Sequence, residues 1–249
     1  MSLTRITIAI VAFVFSFSAS DSSAMCASKG LRFSNTQKLS DEITTIIERG
    51  SSISLLAGFD VSISAPPTVD GPEFCAETLK LRQLAHLRNE RLPTIICEQD
   101  TACFEFDGFR LDNDRNVRDF PFTLKLLAQS LYLVEPIIHK AKLQFDRVRP
   151  SFADTLLDPA IEVPGHPSFP SGHSTQATLI AEILSVLDAS RREAFLADAE
   201  RIAQNREIAG LHYHSDSIAG ANLARNFLVF LHQTSWFAEL LGRAKNEWN

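Results

Sequence analysis

One stretch constrains this chain more than any other: His166-Pro167-Ser168-Phe169-Pro170-Ser171-Gly172-His173-Ser174. Its prolines hold the approach extended and stop a helix from running into it. After Gly172 the sequence turns apolar and helix-forming, from Thr175 through Leu184. Ser171 or Ser174 can cap that helix, so its first backbone N–H groups open beside a hydroxyl and an imidazole. A helix N-terminus with glycine at the point of closest approach is a ready anion site. Taken alone, the segment reads equally well as a capped helix behind a Pro-rich loop. Its neighbours decide.

Upstream, the regular patterns are helical. Leu39 to Ile47 reads as a helix starting near Ser40 or Asp41, and Ser51 to Val69 as loop or a poorly defined helix. Phe74 to Arg91 places Leu79, Leu81, Leu84 and Leu87 near helical spacing, with Pro93 expected to end it. Asp100 to Phe109 reads as a short helix or turn. A long amphipathic run then covers about Phe120 to Val148, with Pro136 inside it, which predicts a kink or a break into two helices. Near its end Lys142 and Arg149 stand seven residues apart, or two helical turns. The spacing predicts both cations on one face of a helix that Pro150 ends. Two fixed cations suit a polyanion, although a lone Lys-x6-Arg is more often a solvated basic face.

Downstream, Ser190 to Ile208 is a further helix with Ala194, Leu196, Ala199, Ile202 and Ala203 as its apolar positions, and Gly210 is its stop. His212 and Asp216 follow four residues apart, with Ser215 or Asp216 placed to open the last helix. A carboxylate on one imidazole nitrogen fixes the tautomer and makes the other nitrogen more basic. Without that partner His212 would read as a satisfied core histidine. His212-x-His214 also hints at a metal, but no carboxylate or cysteine cluster completes a shell. Ser217 to Trp248 reads as one final helix of core packing. The fold class is therefore all-α.

Composition narrows the function. The net charge of −6 over 249 residues argues against a nucleic-acid binder. Residues 1–24 have the features of a cleaved export signal: Arg5, an apolar run from Ile6 to Phe17, then Ser22-Ser23-Ala24. That run is shorter than the ~20 apolar residues of a spanning helix. The mature domain is then 25–249, periplasmic or secreted, with no membrane span. Four cysteines fit an oxidising compartment and allow three pairings. Cys97 and Cys103 are spaced to close a short loop, which would leave Cys26 with Cys75.

Lys142-x6-Arg149-Pro150, Pro170-Ser171-Gly172-His173 and Arg206-x5-His212-x3-Asp216 together resemble the three-part signature of the type 2 phosphatidic acid phosphatase superfamily. Within it the chain looks most like the class A bacterial non-specific acid phosphatases, from about Leu81 to the C-terminus. Asn205 stands where many relatives have Ser, and His214 where many have Pro. The resemblance implies a single-domain helical bundle of the acid phosphatase/vanadium haloperoxidase type. It implies metal-independent hydrolysis of small phosphate monoesters, without a cofactor. Lys142, Arg149 and Arg206 would hold the phosphoryl oxygens, helped by Ser171 Oγ and the Gly172 N–H. His212 would be the nucleophile, held by Asp216, and His173 the acid and then the base. His166 is assigned no role. The resemblance also leaves room for a homo-oligomer.

Three rivals share parts of this pattern. A vanadium-dependent haloperoxidase would use the same residues to bind vanadate, but such enzymes are usually considerably longer. A membrane lipid phosphatase would need several spanning helices, whereas the apolar runs here are interrupted by charge. An anion-binding protein would need the cations and the helix N-terminus but not the His173 and His212–Asp216 pair.

Overall fold

The computed structural model describes residues 30–99, 103, 108–109, 111 and 116–248. The expected export signal, Cys26 and most of Asp100–Phe109 lie outside the described residues. All regular structure among the described residues is helical. Eight helices form the framework: α1 (Asp41–Ser52), α2 (Pro72–Leu84), α3 (Arg88–Cys97), α4 (Pro121–Phe145), α5 (Gly172–Leu187), α6 (Arg192–Ile208), α7 (His214–Leu231) and α8 (Ser235–Trp248). Single helical turns lie at Phe33–Thr36 and Pro150–Ala153. No described helix is long and apolar enough to cross a membrane.

Helix α5 is the centre. Ala177, Leu179, Ile180, Ala181, Ile183 and Leu184 are buried around its circumference, as expected of a helix that is apolar on all sides. It packs most extensively against α6 and α7, and α4 closes a further side. Leu126, Leu127 and Val134 of α4 meet Leu223 and Phe227 of α7 in this main core. A second cluster joins Phe74, Leu81 and Leu84 of α2 and Ile95 of α3 to Ile208, Leu211 and Tyr213. It anchors the end of α6 and the turn into α7, the segment that carries His212.

Four expectations need correction. Of the kink or break expected at Pro136, the break does not occur: α4 is one helix through that residue. The carbonyl that Pro136 leaves without its usual donor belongs to Tyr132, and Arg49 Nη2 of α1 donates to it at 3.4 Å. The guanidinium also lies 4.2 Å over the Tyr132 ring and pairs with Glu135 at 2.7 Å. Pro93 likewise sits inside α3. The break comes earlier, in a 3₁₀ turn at Ala85–Leu87, and Arg88 holds the new axis through the carbonyls of Ile208 and Asp158.

Lys142 and Arg149 do not share a helix. α4 stops at Phe145, where Asp146 turns left-handed at φ 50°. Its carboxylate accepts from Ser34 N at 2.9 Å and Ser34 Oγ at 2.5 Å, while its carbonyl accepts from Phe33 N. Pro150 opens the next helical turn rather than closing the previous helix. Finally, Ser217–Trp248 is not one helix. Thr234 donates both its N–H and its hydroxyl to the Leu231 carbonyl, and α8 folds back onto α4. There Glu247 accepts from Phe122 N and Thr123 N at the start of α4 and Trp248 stacks on Phe120.

Candidate active site

The N-terminus of α5 is built as its sequence dictates. Ser171 is the N-cap, and its Oγ accepts from Ser174 N at 3.3 Å. Gly220 of α7 lets this turn press close: a Cβ there would come within 2.6 Å of the Ser171 carbonyl. In contrast, a Cβ at Gly172 would meet only Ile138 at 3.8 Å. Packing does not demand glycine at 172, so what glycine secures there is open approach to the first turn.

His212 arrives by a helix stop. Gly210 takes φ +77°, a conformation open to glycine at little cost. Its N–H bonds the Glu207 carbonyl, and Leu211 N bonds that of Arg206. The next helix opens with Asp216 as its capping carboxylate: Oδ2 accepts from Tyr213 N at 3.0 Å and faces His212 Nδ1 at 3.1 Å. A carboxylate only accepts, so His212 carries its proton on Nδ1 and its lone pair on Nε2. Arg149 Nη1 donates toward that Nε2 at 3.1 Å.

The three cations are buried around this imidazole but are not equivalent. Lys142 Nζ donates to the carbonyls of Pro167, Ser168 and Pro170 at 2.9, 3.0 and 2.7 Å. It clasps the loop ahead of Ser171 and supplies charge rather than a free ammonium. Arg149 also donates to the carbonyls of His166 and Leu211 and to His166 Nδ1. Arg206 uses only Nη2, on the Ile95 carbonyl and Glu98 Oε2. Its Nε and Nη1 are buried and have no partner among the described residues. Unpaired guanidinium donors inside a protein are costly. An oxyanion would satisfy both.

Electrostatics follows from this crowding. Burial, then Arg149, Lys142, His173 and Arg206, hold His212 well below the ordinary imidazole range. His173, whose Nε2 lies 3.0 Å from the Glu98 carbonyl, is lowered to about 3, first by burial and next by Arg206. Lys142 is also pushed well down, by burial and Arg149, against a smaller pull from Asp216. The site is thus cationic around two neutral histidines. Among the described residues no group of three or more His, Cys, Asp or Glu is placed to hold a metal ion. A cleft of about 300 Å³ between α5, α6 and α7, lined by Ser174, Glu207, His214 and Ser217, backs onto this region and contains none of these charged site residues.

The structure thus brings His212, Asp216, Arg149, Lys142, His173 and Arg206 around the Ser171–Gly172 turn. It also adds residues that sequence reasoning passed over. Arg147 donates to Asp216 Oδ1 at 2.5 Å and to Glu77 Oε2 at 2.8 Å, and Glu77 in turn accepts from Ser215 N and Oγ. Glu98 accepts from Arg201, Asn205 and Arg206. Asn205, where many relatives have Ser, is one of those donors, and His214, where many have Pro, faces Glu207 at 3.1 Å. Arg147 was visible as an extra arginine two positions before Arg149. Nothing local marked Glu77 or Glu98.

A helical bundle with a cationic helix N-terminus facing a carboxylate-held histidine defines a class. Residues 123–239 match the family model described as the PAP2 superfamily. A non-specific acid phosphatase from Providencia stuartii is 31% identical over 80 residues, which is 32% of this chain and 32% of that protein. A bacterial vanadium-dependent iodoperoxidase shares the fold, with a TM-score of 0.53 at 15% identity over 70% of this chain. The chain spans about a third of the first relative and 52% of the second.

Proposed function

We propose that this chain is an exported acid phosphatase that hydrolyses phosphate monoesters through a phosphohistidine on His212, without a resident metal. The observation that carries the reading is that Nε and Nη1 of buried Arg206 have no partner among the described residues, in a pocket where His212 keeps a lone pair on Nε2.

The phosphoryl group would lie on the first turn of α5, receiving Arg206 Nε and Nη1 and the Gly172 N–H. Arg149 Nη1 would turn from His212 Nε2 onto a phosphoryl oxygen, and Lys142 would add charge through the loop it clasps. These fixed donors stabilise charge spread over the transferring group. His212 Nε2 attacks phosphorus, the ester P–O bond breaks, and His173 gives its proton to the departing oxygen. His173 then takes a proton from water as the water oxygen attacks phosphorus. The P–N bond breaks, releasing phosphate and restoring His212. A doubly negative substrate raises the His173 pKa, so the anion itself recruits the proton that the step needs.

The acid phosphatase similarity supports the substrate class, and the Cys97–Cys103 disulfide supports an oxidising compartment. Cys75 has no disulfide partner among the described residues. The test is p-nitrophenyl phosphate hydrolysis from acid to mildly alkaline pH with EDTA present, in wild type and His212→Ala. Acid quenching follows, to trap an acid-labile phosphoprotein. EDTA-resistant turnover that vanishes with His212 is the expected result. Halide oxidation with vanadate and peroxide, and no hydrolysis, would replace this reading with the haloperoxidase. N-terminal sequencing of the protein recovered outside the cytoplasm tests the leader: a chain still beginning at Met1 would refute it.

A further inference from the structure

The C-terminal end of α3 faces the site, and its last residues do more than end a helix. Glu98 is the C-cap and is only 2% exposed. Its main-chain carbonyl lies 3.0 Å from His173 Nε2. Its carboxylate takes donors from three residues of α6: Arg201 Nη1 at 2.8 Å, Asn205 Nδ2 at 2.9 Å and Arg206 Nη2 at 3.3 Å. Arg206 Nη2 also reaches the Ile95 carbonyl, one turn back on α3, at 3.0 Å. One residue therefore touches both the arginine with unpaired donors and the histidine opposite His212.

The chemistry of these contacts is specific. A carbonyl can only accept, so His173 holds a proton on Nε2 when neutral, and its remaining acceptor is Nδ1. Free carbonyls at a helix C-terminus carry partial negative charge, which favours an imidazolium beside them. The carboxylate fixes one edge of the Arg206 fork and leaves the other edge, Nε and Nη1, without partners among the described residues. Cys97 adjoins Glu98 in sequence and is disulfide-bonded to Cys103. Arg201 completes the frame by donating to both Glu98 and the Gly108 carbonyl, at 2.8 and 2.9 Å.

We propose that Glu98 is a positioning residue for this site, aiming Arg206 with its carboxylate and His173 with its carbonyl, and that the neighbouring disulfide fixes it there. The inference rests on the phosphatase reading above. It gives the disulfide a role in turnover as well as in stability.

Glu98→Gln separates positioning from bulk charge because the two predict opposite signs. Removing a negative charge beside a cationic pocket, with nothing else altered, makes an oxyanion bind tighter. Misaiming Arg206 makes it bind weaker. The experiment measures vanadate affinity by calorimetry, kcat and KM with p-nitrophenyl phosphate, and Tm. It uses wild type, Glu98→Gln, and the double variant Cys97→Ser with Cys103→Ser.

We expect Glu98→Gln to lose vanadate affinity and about 10²-fold in kcat/KM, the usual cost of a displaced contact. The disulfide variant should lose activity in the same direction, by less. Tighter vanadate binding in Glu98→Gln would reduce Glu98 to a charge brake. A lowered Tm with unchanged kinetics in the folded fraction would reduce it to a structural residue. Unchanged kinetics in the double variant would remove the disulfide from the proposal. A wild type that neither binds vanadate nor hydrolyses ester would overturn the phosphatase reading and this inference together. A competent wild type with a competent Glu98→Gln would overturn this inference alone.

Discussion

Nη1 of Arg149 lies 3.1 Å from Nε2 of His212, on the ring edge opposite the Asp216 carboxylate. The imidazole is thus held from both sides: by an acceptor that fixes its proton and by a donor that caps its lone pair. Arg149 reaches this position because Nε and Nη2 are fixed on the His166 carbonyl and ring. A lysine has one charged nitrogen and cannot occupy all of these points. Arg149→Lys should therefore lower kcat/KM for p-nitrophenyl phosphate by on the order of 10²–10³-fold despite conserving charge. Activity within a few fold of wild type would show that charge alone matters at this position.

Arg147 stands behind Asp216 as Arg149 stands before His212. It is buried, bridges Asp216 to Glu77 and lies 4.0 Å over the Tyr213 ring. Removing one member of a buried ion pair leaves the other charge unsatisfied, at about 3–5 kcal/mol. Arg147→Met should cost stability of that order, read from urea unfolding. It should also lower kcat more than it weakens phosphate binding, because in the proposed mechanism Asp216 orients the nucleophile rather than the anion. Equal losses in kcat and in anion affinity would contradict that division.

The line between what the sequence disclosed and what it hid runs along contact distance. The Ser171 cap, the Gly210 stop and the His212–Asp216 bond are local, and residue type with spacing was enough to read them. The end of α4 at Phe145 was hidden because its cause is Ser34, 112 residues upstream, bonded to Asp146. The continuity of α4 through Pro136 depends on Arg49, on another helix. Glu98 binds Asn205 and Arg206 across 107 and 108 residues, so nothing in its neighbourhood distinguished it from a surface glutamate. Lys142 was legible as a cation but not as a clasp, since its carbonyl partners are set by the path of the loop.

Anion binding should draw protons from solution. His173 is lowered to about 3, so in the cationic site it is neutral at mildly acid pH. A bound dianion offsets Arg206, Lys142 and Arg149, raises the His173 pKa and brings a proton onto the ring. Sulfate is the suitable probe because its own charge is constant from mildly acid to neutral pH. Calorimetric titrations in two buffers of different ionisation enthalpy should show net proton uptake, and affinity should rise as pH falls. Zero uptake, or proton release, would mean that His173 does not respond to the anion.

The same histidines set how the fold responds to acid. His139 and His173 are each lowered to about 3, and His166 and His212 are held well below the ordinary range, in every case first by burial. A histidine whose folded pKa is depressed leaves the unfolded chain binding more protons. Each therefore withdraws about 1.4 kcal/mol per pH unit once pH drops below about 6.5. Glu98 and Glu207 act in the opposite sense, because burial raises both carboxyls and acid then favours the folded form. Four histidines outweigh two carboxyls between about pH 6.5 and 4.5, so Tm should fall across that window. Sulfate raises the pKa of the histidines that face it, so it should restore Tm more in acid than at neutral pH. A Tm that holds steady or rises on acidification would show that these imidazoles are protonated in the folded protein.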